Sequence, residues 1–194
     1  MHLTQHLFLS YALPWRIRLE KRDRVLIALA GVAPDIDGLL LVGGERLFIE
    51  YHHDYTHHLL GAVLVAGAAY ALGRRRGTAA ALAAAAWLGH LLLDLVGAAD
   101  RVSPEHPAAY PLPLLWPFSD RPFEPFAFGW TLASWQNAVV MAGAVALMAR
   151  LAVVEGRTVV EVFSARADAI VVAVLRRRLG GDGAIPRDDP PGGP

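Results

Sequence analysis

The sequence predicts an all-α fold: an integral membrane helical bundle followed by a C-terminal amphipathic helix. Three observations predict it. Apolar residues make up 55% of the chain and charged residues 19%, a balance shifted away from ordinary soluble domains. The apolar residues come in Ala- and Leu-rich runs of roughly 15–20 residues, too long for strands and close to the length of a membrane span. Ionisable residues inside these runs are few and gather in a handful of places. The competing fold is a soluble helical protein with an Ala-rich core.

In chain order, residues 3–13 are mostly apolar and end at Pro14, which fits a short helix. A basic stretch follows, with Arg16, Arg18, Lys21, Arg22 and Arg24. Residues 25–42 are apolar apart from Asp35 and Asp37, and Pro34 should kink or break a helix there. Residues 56–73 form the next run, stopped by Gly73 and the triplet Arg74-Arg75-Arg76. Residues 78–97 read as a helix carrying His90 and Asp94, and 103–126 as a Pro-rich loop with aromatic residues. Residues 130–154 read as a further helix, interrupted by Gln136 and Asn137. Over 158–178, Val160, Phe163, Ile170 and Val174 are interleaved with Glu161, Arg166 and Asp168, and the stretch ends in Arg176-Arg177-Arg178. That pattern predicts an amphipathic helix with a basic end. The expected organisation is a membrane-embedded domain over 1–155, the amphipathic helix over 156–179 and a disordered tail over 180–194.

The Arg and Lys clusters at 16–24, 74–76 and around 150–157 fall on one side of an up-and-down bundle, which the positive-inside rule makes cytoplasmic. The expected location is therefore the inner (plasma) membrane, crossed several times, with the N-terminus outside. No basic leader precedes an apolar core, so no cleaved signal peptide is expected. Net charge is zero, which leaves no electrostatic footprint for nucleic acid. The chain has no cysteine, so disulfides, thiolate metal sites and cysteine nucleophiles are excluded together. Any metal must be held by His, Asp and Glu.

Four of the eight histidines lie in the tract His52-His53-Asp54-Tyr55-Thr56-His57-His58, at the entrance to an apolar run. Alone, such a tract is a polar loop or a helix cap. Two other places alter that reading. His90 and Asp94 are spaced i, i+4, which puts both on one face of an apolar helix, and a charge inside a membrane helix is a functional hypothesis by default. Asp35 and Asp37 flank Ile36 beside a proline, where the bland reading is an Asx-turn. Three separate apolar segments thus bring acids or histidines to one end, and a metal site explains why ionisable groups are tolerated there. Asp54 or Thr56 can cap the helix that follows the tract. If that helix includes His53, then His53 and His57 share a face; if it begins later, His52 projects from the preceding loop. His58 is expected to face lipid headgroups. Of His2 and His6, also i, i+4, His6 is the better placed, and His106 sits in the Pro-rich loop. No Gly-x-Ser-x-Gly, P-loop or dinucleotide fingerprint occurs.

The set His6, Pro34-Asp35-Ile36-Asp37, His52-x4-Thr56-His57, His90-x3-Asp94 and Leu115-Trp116-Pro117-Phe118-Ser119 resembles the membrane-bound metal-dependent hydrolase family, also described as LexA-binding, inner-membrane-associated hydrolases. The resemblance covers about residues 1–155, and its specificity lies in the order and spacing of the whole set. It implies a helical membrane protein with metal-dependent hydrolase activity and the ligands His6, Asp35, Asp37, His52, His57, His90 and Asp94. The chain departs from the family where His53-Asp54 replace an Arg-Gly pair, which removes the usual bidentate phosphate partner. His58 stands where the family has Ser, and the loop after Asp94 is longer.

The expectation is a metallohydrolase holding one or two divalent ions, zinc foremost, that activate water. Whichever of Asp35 and Asp37 is less engaged serves as general base, with Asp37 taken as the catalytic residue. A phosphodiester or other lipid-linked ester is the expected substrate class, with membrane lipid as the surrounding partner. The alternative is a non-catalytic metal-binding adaptor that contacts a cytoplasmic regulatory protein. A transporter would want ionisable groups along a path, whereas here they gather at one end. His57, His90, Asp94 and at least one of Asp35 and Asp37 are expected to converge, with His6 and His52 adjacent.

Overall fold

The computed structural model describes residues 1–53, 55–98 and 111–180. Its helices are α1 (Leu3–Ala12), α2 (Lys21–Val32), α3 (Glu45–Tyr51), α4 (Leu59–Leu72), α5 (Arg76–Gly97), α6 (Trp135–Glu155) and α7 (Ala165–Leu179). Among the described residues there is no β-strand, only an isolated bridge between Leu112 and Phe123. Lys21–Gly43, Arg76–Gly97 and Trp135–Glu155 are each long and apolar enough to cross a membrane, which with the absence of strands makes the fold an all-α membrane bundle. The chain divides into two compact units, Met1–Ala144 and Val145–Pro194, and the division falls within α6.

In the first unit α5 packs against α4 and α2, and α1 packs on α2. Small side chains allow this closeness: Ala30, Ala69, Ala79 and Ala83 form one buried cluster, and Ala62, Trp87, Leu91, Leu95 and Leu112 another. At Gly31 an added Cβ would meet Ser10 Oγ at 1.7 Å, so α1 can lie against α2 only because residue 31 has no side chain. At the basic end Asp23 is fully buried and accepts from the backbone N–H groups of Arg74 and Arg75, at 2.7 and 3.1 Å. One carboxylate thus serves the first turn of α2 and the start of α5, where helix dipoles favour negative charge. At the other end Asn137 Nδ2 donates to the carbonyls of Gly97, Thr131 and Leu132, and its Oδ1 accepts from Trp130 Nε1.

Four element boundaries differ from those expected. The 25–42 run is not one α-helix: α2 ends at Val32 and a 3-10 segment, Ala33–Gly43, takes over where Pro34 lacks an N–H and obstructs an α-turn. The helix expected from 56 begins at Leu59, because residues 52–58 turn to build the site. Its N-cap is His58, whose Nδ1 accepts from Gly61 N–H at 3.1 Å, rather than Asp54 or Thr56. His58 is buried and faces no headgroup. The helix expected from 130 begins at Trp135, since 131–134 supply the carbonyls and hydroxyl that hold Asn137. The 158–178 stretch splits into a 3-10 turn, Val159–Val162, and α7, which Ser164 caps by accepting from Ala167 N–H. Helix α3 had no counterpart in the expectation. His106, the 103–110 part of the loop and the tail beyond 180 lie outside the described residues.

Candidate metal centre

The cluster is assembled by four parts of the first unit. The 3-10 segment presents Asp35 and Asp37, the turn before α4 presents His52, His53 and His57, α5 presents His90 and Asp94, and α1 presents His6. Because a 3-10 turn is tighter than an α-turn, the Pro34 break brings both aspartates round towards the histidine turn.

Four atoms face one point. His90 Nε2 lies 3.2 Å from His57 Nε2, 2.9 Å from Asp94 Oδ2 and 3.5 Å from Asp35 Oδ1. His57 Nε2 lies 3.7 Å from Asp35 Oδ1 and 3.6 Å from Asp94 Oδ2. Tetrahedral zinc with bonds of about 2.0–2.2 Å needs donor separations of roughly 3.3–3.6 Å, close to most of these edges. A second group, Asp35, Asp37 and His52, shares Asp35 with the first.

Hydrogen bonds behind the cluster fix which nitrogens carry protons. His90 Nδ1 sits 2.8 Å from the Gly31 carbonyl, which can only accept, so Nδ1 carries the proton. Thr56 Oγ1 donates to Asp37 Oδ2 at 2.9 Å, and so accepts from His57 Nδ1 at 3.0 Å. In the neutral rings both Nε2 atoms are then bare lone pairs, and they point at each other and at two carboxylates. That arrangement is repulsive unless a cation lies among the atoms. A proton can bridge one pair of them; a metal ion at the centre satisfies all four. Backbone and hydroxyl groups that fix the far nitrogen of a histidine are the usual support of metal-ligating imidazoles. The donor set of two imidazoles and two carboxylates suits a borderline divalent ion.

The surrounding groups differ in how fully they are occupied. Asp37 accepts from His52 Nδ1 at 2.9 Å, from His53 N–H at 2.8 Å and from Thr56, so both its oxygens are engaged. Asp35 Oδ2 is buried with no hydrogen-bond partner, and at 15% exposure the Asp35 side chain is the most open of the four facing groups. His6 Nε2 lies 3.2 Å from Asp94 Oδ1, its ring stacks on His90 with centroids 3.7 Å apart, and its Nδ1 is buried without a partner. The Met1 α-amino group also pairs with Asp94. His53 is buried with its ring 3.9 Å from that of His57. Burial holds the imidazoles of His6 and His53 below their ordinary pKa, favouring the neutral form that binds metals. His2 caps α1 and takes no part in the cluster.

The structure therefore brings together His57, His90, Asp94 and Asp35, with Asp37 and His52 against them and His6 against Asp94. Sequence reasoning missed the supports: the Gly31 carbonyl, Thr56 as the link between Asp37 and His57, and the burial of His53. The signal available for Gly31 was a glycine inside an apolar helix three residues before Pro34. The Leu115–Ser119 motif lies on the far side of His58: Leu59 N–H donates to the Leu114 carbonyl at 2.9 Å, and the Trp116 ring lies 5.1 Å from that of His58.

An all-α bundle with apolar helices of spanning length and a buried His/Asp cluster able to hold a metal defines a membrane protein with a candidate metal centre. The chain belongs to the YdjM inner membrane protein family, which it matches over residues 1–178 and to which the motif set pointed. No curated protein and no solved structure matches it.

Proposed function

We propose that this protein is a multi-pass inner-membrane hydrolase that uses a divalent ion, zinc by preference, held by Asp35, His57, His90 and Asp94. The observation that carries the reading is the pair of imidazole lone pairs and two carboxylate oxygens facing one point. When bound, the ion supplies Lewis acidity: it acidifies water and polarises the scissile group. The chain's own groups do the rest. The Gly31 carbonyl and Thr56 hold His90 and His57 in the metal-binding tautomer. Asp37, with both oxygens engaged, anchors Thr56, His52 and the His53 backbone, and is better suited to positioning than to proton transfer. Asp35 Oδ2, buried beside the four facing donors and without a hydrogen-bond partner, is the base we assign to the attacking water, in place of Asp37. His52 with Asp35 and Asp37 forms a place for a second ion.

Substrate would enter past Asp35, beside the exposed Ile36 and Leu39. A metal centre beside exposed apolar side chains would suit an ester or phosphodiester carried on a lipid. The positive-inside pattern supports an outward-facing site. Purified full-length protein should carry a divalent metal, and the loaded protein should hydrolyse members of a phosphodiester and lipid-ester panel. Metal without any hydrolysis would favour a metal-binding adaptor; absence of metal after purification and after zinc titration would remove both readings.

A further inference from the structure

The Val145–Leu179 part of the chain carries charge that the candidate centre does not use. Helix α6 is long and apolar enough to cross a membrane and ends at Glu155. Gly156 turns the chain with φ +68°, a conformation that favours glycine. Two clips then hold α7, one to the turn that follows α6 and one to the last turn of α6 itself. At the start of α7, Asp168 Oδ1 accepts from the backbone N–H and the hydroxyl of Thr158, at 2.8 and 2.5 Å. Near its end, Arg176 Nε donates to the carbonyls of Ala152 and Val153, each at 3.2 Å. Those carbonyls belong to the last turn of α6, where no intrahelical donor remains and a cation is favoured. If α6 spans the bilayer, α7 is held at the depth where α6 leaves it.

Over the described residues 155–179 the surface is amphipathic, and its unpaired charges are of one sign. The acids in 155–179 are all accounted for: Asp168 and Glu161 are buried, and Glu155 pairs with Arg157 at 2.7 Å. Arg166, Arg177 and Arg178 are exposed, with no ion pair or hydrogen bond among the described residues. Phe163 and Ile170, at 76% and 60% exposure, stand among them. Within α7, positions 166, 170, 173 and 177 follow the i, i+3/i+4 spacing of one helix face. The buried Asp168 and Val172 mark the opposite face.

We propose that α7 and the turn before it lie on the leaflet surface at the end of α6, with Arg166, Arg177 and, at the edge of that face, Arg178 binding the headgroups of anionic phospholipids and Phe163 and Ile170 entering the acyl boundary. Charge complementarity argues for the leaflet: unpaired arginines around exposed apolar side chains, on a helix held at the interface, match an anionic membrane surface.

The chain contains no cysteine, so Ile170→Cys can be labelled alone with an environment-sensitive fluorophore in the full-length protein. The labelled protein is placed in nanodiscs of phosphatidylcholine alone and of phosphatidylcholine with phosphatidylglycerol. With phosphatidylglycerol the emission should shift to the blue, and lipid-borne quenchers should reach the label. Changing Arg166, Arg177 and Arg178 together to Gln should shift the docking equilibrium towards the undocked state by on the order of 100-fold. Circular dichroism should show the helix content unchanged, since all three side chains are exposed. A label that stays in water in both lipids overturns the proposal and leaves the face to a protein partner. Quenching that ignores both phosphatidylglycerol and the arginines also overturns it, since apolar insertion alone would explain that result.

Discussion

Asp23 and Asp94 are equally hidden, at 0% and 2% exposure, yet they are used in opposite ways. Asp23 at the basic end spends both oxygens on backbone N–H groups at the start of α5, and neither oxygen is left without a partner. Asp94 at the far end pairs through Oδ1 with the Met1 α-amino group and His6, but its Oδ2, turned towards the Nε2 atoms of His57 and His90, has no hydrogen bond. A buried charge whose partners are complete is architecture. One whose surroundings leave acceptors facing acceptors marks a place for a cation. Burial alone does not separate the two; the inventory of donors and acceptors does.

The sharpest way to break this comparison is at Asp94 itself. Asp94→Ala or His90→Ala should lower metal affinity by more than about 100-fold, because removing a ligand costs more than disturbing its support. Elemental analysis of purified, membrane-inserted protein reads this directly, and full metal content in either variant would return the pair to a capping role. Asp23→Ala should do the reverse. It orphans two N–H groups, so stability should fall by about 2–4 kcal/mol, seen as a lower melting temperature in detergent with metal content unchanged. If Asp23→Ala instead strips metal, the two ends are not independent.

Thr56→Val tests the support of the centre with the ligands left in place. It removes the partner of His57 Nδ1 and leaves Asp37 Oδ2 with the His53 N–H alone, and should weaken metal binding by about 10–100-fold in a chelator competition while the fold persists. An affinity equal to that of the parent protein would show that the His57 tautomer is fixed by something else. The smallest effect is expected at His58, which sits between the centre and Trp116 but serves the helix. His58→Ala should cost about 1 kcal/mol through loss of the α4 cap, with metal affinity unaltered. A loss of metal there would extend the centre to a residue the geometry assigns to capping.

The all-α class and the candidate residues of the cluster were legible in the chain because each depends on local signals, whereas only three of the four long apolar segments read there form helices of spanning length, Leu59–Leu72 being shorter. Runs of Ala and Leu with no period-2 alternation exclude strands, Pro34 marks a break, and the i, i+4 spacing of His90 and Asp94 commits both to one face. Acids and histidines inside apolar segments stand out whatever the fold, since each is costly unless paired. Other features depended on atoms distant in sequence. No pattern around residue 58 says that its imidazole caps α4, because a histidine N-cap is uncommon and the Asp and Thr nearby are better local candidates.

Which aspartate has an oxygen to spare was likewise decided only in three dimensions. Asp35 and Asp37 are equivalent in sequence, one on each side of Ile36, and they separate only when His52, the His53 N–H and Thr56 close on Asp37 and leave Asp35 Oδ2 bare. The Gly31 carbonyl reaches His90 across 59 positions, and the lone pair it leaves on Nε2 is what aims that ring at His57. Composition and spacing determined which residues had to be brought to one end of an apolar bundle. Packing of α1, α2 and α5 at the distance Gly31 permits, together with the turn between α3 and α4, decided which of their atoms meet, because hydrogen-bond direction is a property of neighbours that the chain order does not hold.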